Sequence, residues 1–263
     1  MAGGGVSHWD RVIFDSFESS MVRLHPPSGE FGNGFIVCAR GDTCLIMTCE
    51  HVVHGFPLGT RIVTRFPEPF YVRQATKATL LCVDEARDLA LLRFDGLQHA
   101  CNVVGFFEPP TIPGMDVILL AFLQMHNTHV MRPGTFAGKI VGEPAPFAET
   151  PAREFIRANY TSRSGASGAP VFSRDCLVVG VHAERAHGRT YAVSVPTIKA
   201  ALRGWLQLAG KLSNTVHATE TSVLIAKCDA RDNKREVRRA RLVPWLCTLD
   251  LEEGRSQPRR HGL

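Results

Sequence analysis

Between Gly34 and Val195 the chain is cut into about a dozen short apolar or alternating runs, each closed by turn residues. Gly34-Phe35-Ile36-Val37-Cys38 ends at a Gly41-Asp42 turn, and Cys44-Leu45-Ile46-Met47-Thr48 follows. Arg61–Thr64 alternates, and Ala78–Val83 and Leu89–Phe94 flank a charged turn, Asp84-Glu85-Ala86-Arg87-Asp88. Val117–Leu123, Thr135–Val141, Phe155–Tyr160, Ala169–Phe172, Leu177–His182 and Thr190–Val195 continue the series. Runs this short must pair edge to edge, and strands joined by short turns build a sandwich or a barrel. No fixed period marks a propeller or a solenoid. One helix is predicted. It starts at Pro196-Thr197, carries Ile198, Ala201, Leu202, Trp205 and Leu206 at helical spacing, and stops at Gly210.

The first twenty residues have neither the basic n-region nor the apolar h-region of a secretory leader. Val117–Leu123, the longest apolar run, is too short to span a bilayer. The expectation is an intracellular protein, cytoplasmic or nuclear, without a membrane partner. Its eight cysteines, Cys38, Cys44, Cys49, Cys82, Cys101, Cys176, Cys228 and Cys247, are then expected as reduced thiols. Cys44, Cys49, His51 and His54 lie close in sequence but fit no common zinc spacing, so neither metal nor cofactor is assigned. The net charge of +5 is uneven, because ten Lys/Arg against six Asp/Glu between Lys227 and Leu263 leave the body at only +1. The body therefore has no basic surplus to track a nucleic-acid backbone, and only the tail with its KREVRRAR run is a candidate for that. The predicted organisation is an extension over 1–20, a β domain over 21–212 and a basic, partly disordered tail over 213–263.

Chemistry is concentrated at Gly165-Ala166-Ser167-Gly168-Ala169-Pro170, where the smallest residues surround one hydroxyl. A glycine two places before a serine lets the backbone turn sharply, so that the amides of Gly165 and Ser167 can form an oxyanion hole. A serine hydroxyl needs a base to take its proton. His51 stands where the apolar strand ending at Thr48 gives way, a position that holds a side chain at a cleft edge. Asp88 immediately precedes a strongly apolar strand, so its carboxylate is expected to be partly buried and able to fix an imidazole tautomer. Taken singly, these are an ordinary turn serine, strand-end histidine and cap aspartate. The order His, Asp, Ser is what points to nucleophilic acyl transfer. His54 is the nearby competitor for the base, and Glu50 beside His51 is read as facing solvent, the other reading being that it raises the imidazole pKa.

GNGFIV, IMTCEHVV, DLALLRF and SGASGAPVF followed by LVVGVH resemble the trypsin-like serine peptidases, nearest to the HtrA/Deg-like branch and its plant cytosolic or nuclear members. The resemblance runs from about Val22 to Trp205. It implies an all-β fold of two packed six-stranded antiparallel β-barrels with a C-terminal helix and the site between the barrels. It implies Ser167 as nucleophile, His51 as base, Asp88 as orienting group, and the Gly165 and Ser167 amides as oxyanion hole. The activity implied is endopeptidase action on a protein or peptide substrate through an acyl-enzyme. The alternative is a catalytically weak module that binds exposed polypeptide segments in a quality-control or scaffold role. A homo-oligomer is compatible with either.

Some residues depart from the family pattern. Ala166 stands where secreted trypsins carry an acidic residue that pairs with a new N-terminus, so that mode of activation is not expected. Val52 follows His51 where secreted relatives have a bridging cysteine, and the roughly fifty residues after the barrels are too few for a PDZ domain. The primary pocket is expected to be walled by Thr161, Ser162 and the strand carrying His182. Glutamyl endopeptidases and picornaviral cysteine proteases have a similar Gly-(Ile/Val)-His that reads Glu or Gln. The same histidine is also readable as one that points outward at a strand end; if it faces the pocket, a preference for Glu or Gln is expected, tilted towards Glu wherever His182 is protonated.

Overall fold

A computed structural model describes residues 8–218 apart from 30, 68–75, 124–131, 148–149 and 187, with side chains described as far as 208. The elements are α1 (His8–Phe17), β1 (Met21–His25), β2 (Gly32–Arg40), β3 (Thr43–Thr48), β4 (Arg61–Arg65), β5 (Thr76–Asp84) and β6 (Leu89–Asp95). Then come β7 (Asp116–Ala121), β8 (Gly134–Lys139), β9 (Ala145–Phe147), β10 (Thr150–Ala158), β11 (Pro170–Phe172), β12 (Val178–Ala186), β13 (Arg189–Ser194) and α2 (Val195–Ala218).

Strands β1-β2-β3-β6-β5-β4 close into an antiparallel barrel. Side chains alternate between the two faces of a strand, so one set fills the barrel and the other leaves it. Ile36 opposite Ile46 and Leu80 opposite Leu92 point inward with Val22, Leu24 and Ile62. Phe35, Met47 and Leu91 take the alternate positions and enter a second core together with Ile118, Phe172 and Val181 of the other half. Burial on both faces explains why β2, β3 and β6 read as nearly continuous apolar runs.

The second half is a seven-stranded sheet in the order β8-β7-β11-β12-β13-β10-β9. It curls until its two sides meet. Ile140 bridges Ala158, Val141 N donates to Arg157 O at 2.9 Å, and Asn159 N donates to Lys139 O at 3.1 Å. Six strands thus make the expected second barrel, and the short β9 is an added flap on β10. Together the two halves are a trypsin-like double barrel.

One element was not foreseen, and one local expectation differs from what is observed. The segment read as an extension contains α1, whose Trp9, Ile13 and Phe17 recur at i, i+4 and i+8. Ile13 and Phe17 are buried in the shared core, and Phe17 stacks on Phe172 with ring centroids 4.7 Å apart. The final helix does not stop at Gly210 but continues to Ala218. A single interior glycine costs only about 1 kcal/mol, too little to terminate a helix. Among the described residues no helix is long and apolar enough to cross a membrane. Among the described residues Cys38, Cys44, Cys49, Cys82, Cys101 and Cys176 are not disulfide-bonded, while Cys228, Cys247 and the KREVRRAR run lie outside the described residues.

Candidate active site

Thr48 pairs with Ala90 at the end of the β3–β6 ladder, and this register brings the exits of the two strands together. His51 follows β3 on a tight turn, Glu50–Val52, closed by Val53 N donating to Glu50 O at 2.8 Å. Asp88 ends the turn between β5 and β6. Asp84 shapes that turn, accepting from Arg87 N at 3.0 Å and from Arg87 Nη1 at 2.8 Å. Asp88 has φ +54°, a left-handed conformation that aspartate tolerates better than most side chains. Its carboxylate is buried and meets His51 twice. Oδ1 accepts from the His51 backbone N at 3.0 Å, and Oδ1 and Oδ2 lie 2.9 and 3.0 Å from Nδ1.

Burial opposes a charge on His51, but the hydrogen bond and charge of Asp88, helped by Glu50, prevail and raise its pKa above the ordinary value of 6.5. Arg153 acts against that rise. Glu50 does not face solvent as expected. It is buried, and its carboxylate accepts from His54 Nδ1 at 2.7 Å. His54, the competing base, is thereby tied to Glu50.

Ser167 lies between β10 and β11, and its Oγ donates to Ala183 O at 2.9 Å. Immediately upstream, Arg163-Ser164-Gly165-Ala166 forms a turn closed by Ala166 N donating to Arg163 O at 3.1 Å. Gly165 has φ +86° and Ser164 does not share the positive sign, the pattern of a type II turn. Asn33 of the first barrel anchors this segment. Its Nδ2 donates to Gly165 O at 2.5 Å and to Phe122 O at 3.1 Å, its Oδ1 accepts from Phe122 N at 2.8 Å, and its backbone N donates to Ser167 O at 2.7 Å. Asn33 escaped the sequence reading, because only its place in GNGFIV set it apart. Gly168 is required for a different reason: a Cβ there would lie 2.1 Å from Asn33 O.

At Gly165 an added Cβ would fall 2.4 Å from the Phe31 ring, in a backbone conformation that disfavours any side chain. If the Gly165 amide serves as an oxyanion donor, Gly165→Ala is expected to lower kcat by about 10²–10³-fold, the loss typical of a damaged oxyanion site. Steady-state turnover of a peptide substrate checks this, and an unchanged kcat would remove the turn from the machinery.

A groove of about 1000 Å³ is lined by His51, Asp88, Arg153, Ser162, Gly165, Ser167 and His182. The structure thus gathers six of the seven residues singled out from the sequence; Thr161 is exposed and does not line the groove. His182 is buried, with Nδ1 3.0 Å from the Tyr160 hydroxyl. Burial, with a smaller contribution from His51, pushes its pKa down to about 3. His182 is therefore neutral near pH 7. Where the Tyr160 hydroxyl donates to Nδ1, Nε2 carries the proton. Cys49 Sγ, His51 and Asp88 offer ligand atoms within 4.8 Å of one another. His51 and Asp88 already bond each other, and the buried Cys49 thiol is held protonated and directed at His182 O at 3.3 Å, so the trio is a poor metal site.

A family model described as a trypsin-like peptidase domain matches residues 32–181. No curated protein matches the chain. Among solved structures, the chain is similar to the active form of the Rv3671c protease from M. tuberculosis, with 20% identity over 73% of this chain and 82% of that one and a TM-score of 0.56. The serine endoprotease from Yersinia pestis is 16% identical over 75% of this chain and 66% of that one, with a TM-score of 0.59. Deg5 is 17% identical over 73% and 91%, with a TM-score of 0.58. At these identities the structural likeness establishes the fold.

Proposed function

The chain belongs to the trypsin-like peptidase family, and on that premise we propose that it is a serine endopeptidase whose triad is His51, Asp88 and Ser167. In this reading His51 Nε2 removes the Ser167 proton as Oγ attacks the scissile carbonyl. The Gly165 and Ser167 amides receive the oxyanion, and Asp88 holds Nδ1–H towards itself and stabilises the imidazolium. The imidazolium then protonates the leaving amine, and water assisted by the same histidine hydrolyses the acyl-enzyme. The observation that carries the proposal is the double contact of the buried Asp88 with His51, in the same groove as Ser167 and its glycine turn. The test is covalent labelling with a fluorophosphonate serine-hydrolase probe, read by mass spectrometry of the Ser167 peptide. Labelling there supports the enzyme, and a protein left unlabelled at all pH values contradicts it.

One observation favours the second reading, a polypeptide-binding module of weak activity: the Ser167 hydroxyl is bonded to the Ala183 carbonyl. If that bond persists, a denatured protein should bind in the groove without being cleaved. The same labelling experiment separates the two readings.

The proposed primary pocket is formed by Ser162 and His182, with a neutral Nε2–H as donor. A hydrogen bond from it contributes about 1 kcal/mol to a neutral acceptor and about 1.5–3 kcal/mol to a charged one. Cleavage after Glu or Gln is expected to be favoured roughly tenfold to a hundredfold over Arg or Phe. The pH-dependent tilt towards Glu expected from the sequence is replaced by a ratio of Glu to Gln cleavage that is flat between pH 6 and 9, because His182 stays neutral throughout. A peptide library cleaved by the wild type and by His182→Ala checks this. An identical profile for both proteins would remove His182 as the reader.

A further inference from the structure

Arg153, on β10 of the second barrel, had no role in the sequence reading, yet its guanidinium reaches across to the first. Nη2 donates to Glu85 O at 2.8 Å, Nε donates to Ala86 O at 3.3 Å, and Nη1 lies 3.8 Å from Asp88 Oδ2. The side chain is mostly buried, and the rings of Phe147 and Phe155 lie about 6 Å from the guanidinium carbon. We propose that Arg153 is a positioning residue of the active site: it clamps the Glu85–Asp88 turn to the second barrel and partly neutralises the Asp88 carboxylate. This inference rests on the triad reading above.

The clamp answers a mechanical need. Asp88 sits in a left-handed conformation, which aspartate tolerates at a modest cost that the surrounding turn must offset. Asp84 and Arg87 brace the turn from within, but both belong to the first barrel. Ser167 is presented by the second barrel, beside β11 and β12. Arg153 is a direct tie between the orienting carboxylate and the half that carries the nucleophile. Its three nitrogens all face the turn, so its fork is engaged by the chain itself rather than held out for a substrate carboxylate.

Arg153 also supplies charge. Among the described residues, the charged and titratable groups around His51 are Asp88 on the β5–β6 turn, Glu50 and Cys49 on its own segment, His182 on β12 and Arg153 on β10. Asp88 and Glu50 favour the imidazolium, whereas Arg153 opposes it. A cation in this mostly buried setting is screened far less than one on the surface. Removing it should therefore raise the His51 pKa, and the base should lose its free lone pair at a higher pH than in the wild type.

The experiment compares Arg153→Gln, which loses the charge, with Arg153→Lys, which keeps the charge and loses the planar fork. Imidazole NMR titration of His51 is read beside the pH profile of kcat/KM. Arg153→Gln is expected to move the His51 titration and the acid limb of kcat/KM to higher pH. Arg153→Lys should leave both near the wild-type position while kcat falls roughly tenfold to a hundredfold, the scale of a small misplacement of a reacting group. Should Arg153→Gln fail to fold, Arg153→Met, which suits the space beside Phe147 and Phe155, takes its place in the same titration. A His51 titration unmoved by loss of the charge, even with a lowered melting temperature, overturns the proposal. The NMR titration needs no turnover. A wild type without activity would therefore sink the peptidase reading while the Arg153 test still returned its own answer.

Discussion

Ser167→Ala is expected to lower kcat by about five to six orders of magnitude while leaving the fold intact. The proposed nucleophile, base and orienting group act as a unit, so loss of the nucleophile forfeits nearly all that the unit contributes. Only the catalysis supplied by the oxyanion site and substrate binding should remain. The structural cost is small for identifiable reasons. The change deletes one oxygen whose hydrogen bond is to Ala183 O, worth about 1 kcal/mol. The backbone bonds that fix the segment, Asn33 N to Ser167 O and Gly168 N to His182 O, do not involve the deleted atom. For a domain of this size a loss near 1 kcal/mol lowers the melting temperature by about 2–4 °C. Peptide turnover, probe labelling and thermal unfolding, measured on the same preparation, check the pair of effects. Wild-type turnover in a folded Ser167→Ala protein would be fatal to the serine mechanism.

The nucleophile segment was legible because its composition is itself the constraint. Gly165 and Gly168 both take positive φ, and both lack room for a Cβ, so small residues around Ser167 are a geometric requirement visible in the sequence. Strands β2, β3 and β6 were legible because they are buried on both faces. The helix α1 was not read because it is short and lies in a segment that gave no β pattern. Asn33 and Arg153 were invisible for a shared physical reason. Their partners are far away in sequence: Asn33 reaches Phe122 and Gly165 across 89 and 132 positions, and Arg153 reaches Ala86 and Glu85 across 67 and 68. No local pattern encodes such a contact. Glu50 misled because a carboxylate next to an exposed histidine looks solvated, whereas the tight turn after β3 brings it to His54 four residues on. Thr161 and Ser162 show the limit of a resemblance at a single residue. They are adjacent in the loop after β10, yet Thr161 is exposed while Ser162 is buried and lines the groove.

Asp88→Asn is expected to lower kcat by about 10⁴-fold without unfolding the protein. Asparagine is the other residue that readily takes the left-handed conformation, so φ +54° at this position is tolerated. The orientation of its amide is then decided by hydrogen-bond chemistry. The His51 backbone N–H points at Oδ1 from 3.0 Å, and an NH₂ placed there would set donor against donor. The amide oxygen must occupy the Oδ1 site, which puts Nδ2 at the Oδ2 site, 3.0 Å from His51 Nδ1. Nδ1 then lies 2.9 Å from the amide oxygen and 3.0 Å from the NH₂, and the NH₂ donor favours the tautomer in which Nδ1 accepts and Nε2 carries the ring proton. An Nε2 that already carries a proton has no lone pair with which to take the one on Ser167. A neutral amide also gives an imidazolium nothing to lean on, so the pKa of His51, raised in part by Asp88, should fall. Two measurements decide the matter: kcat, and the nitrogen chemical shifts of His51, which report the tautomer directly. Activity within tenfold of wild type, or an Nδ1–H tautomer in the folded variant, would show that Asp88 does not orient the base.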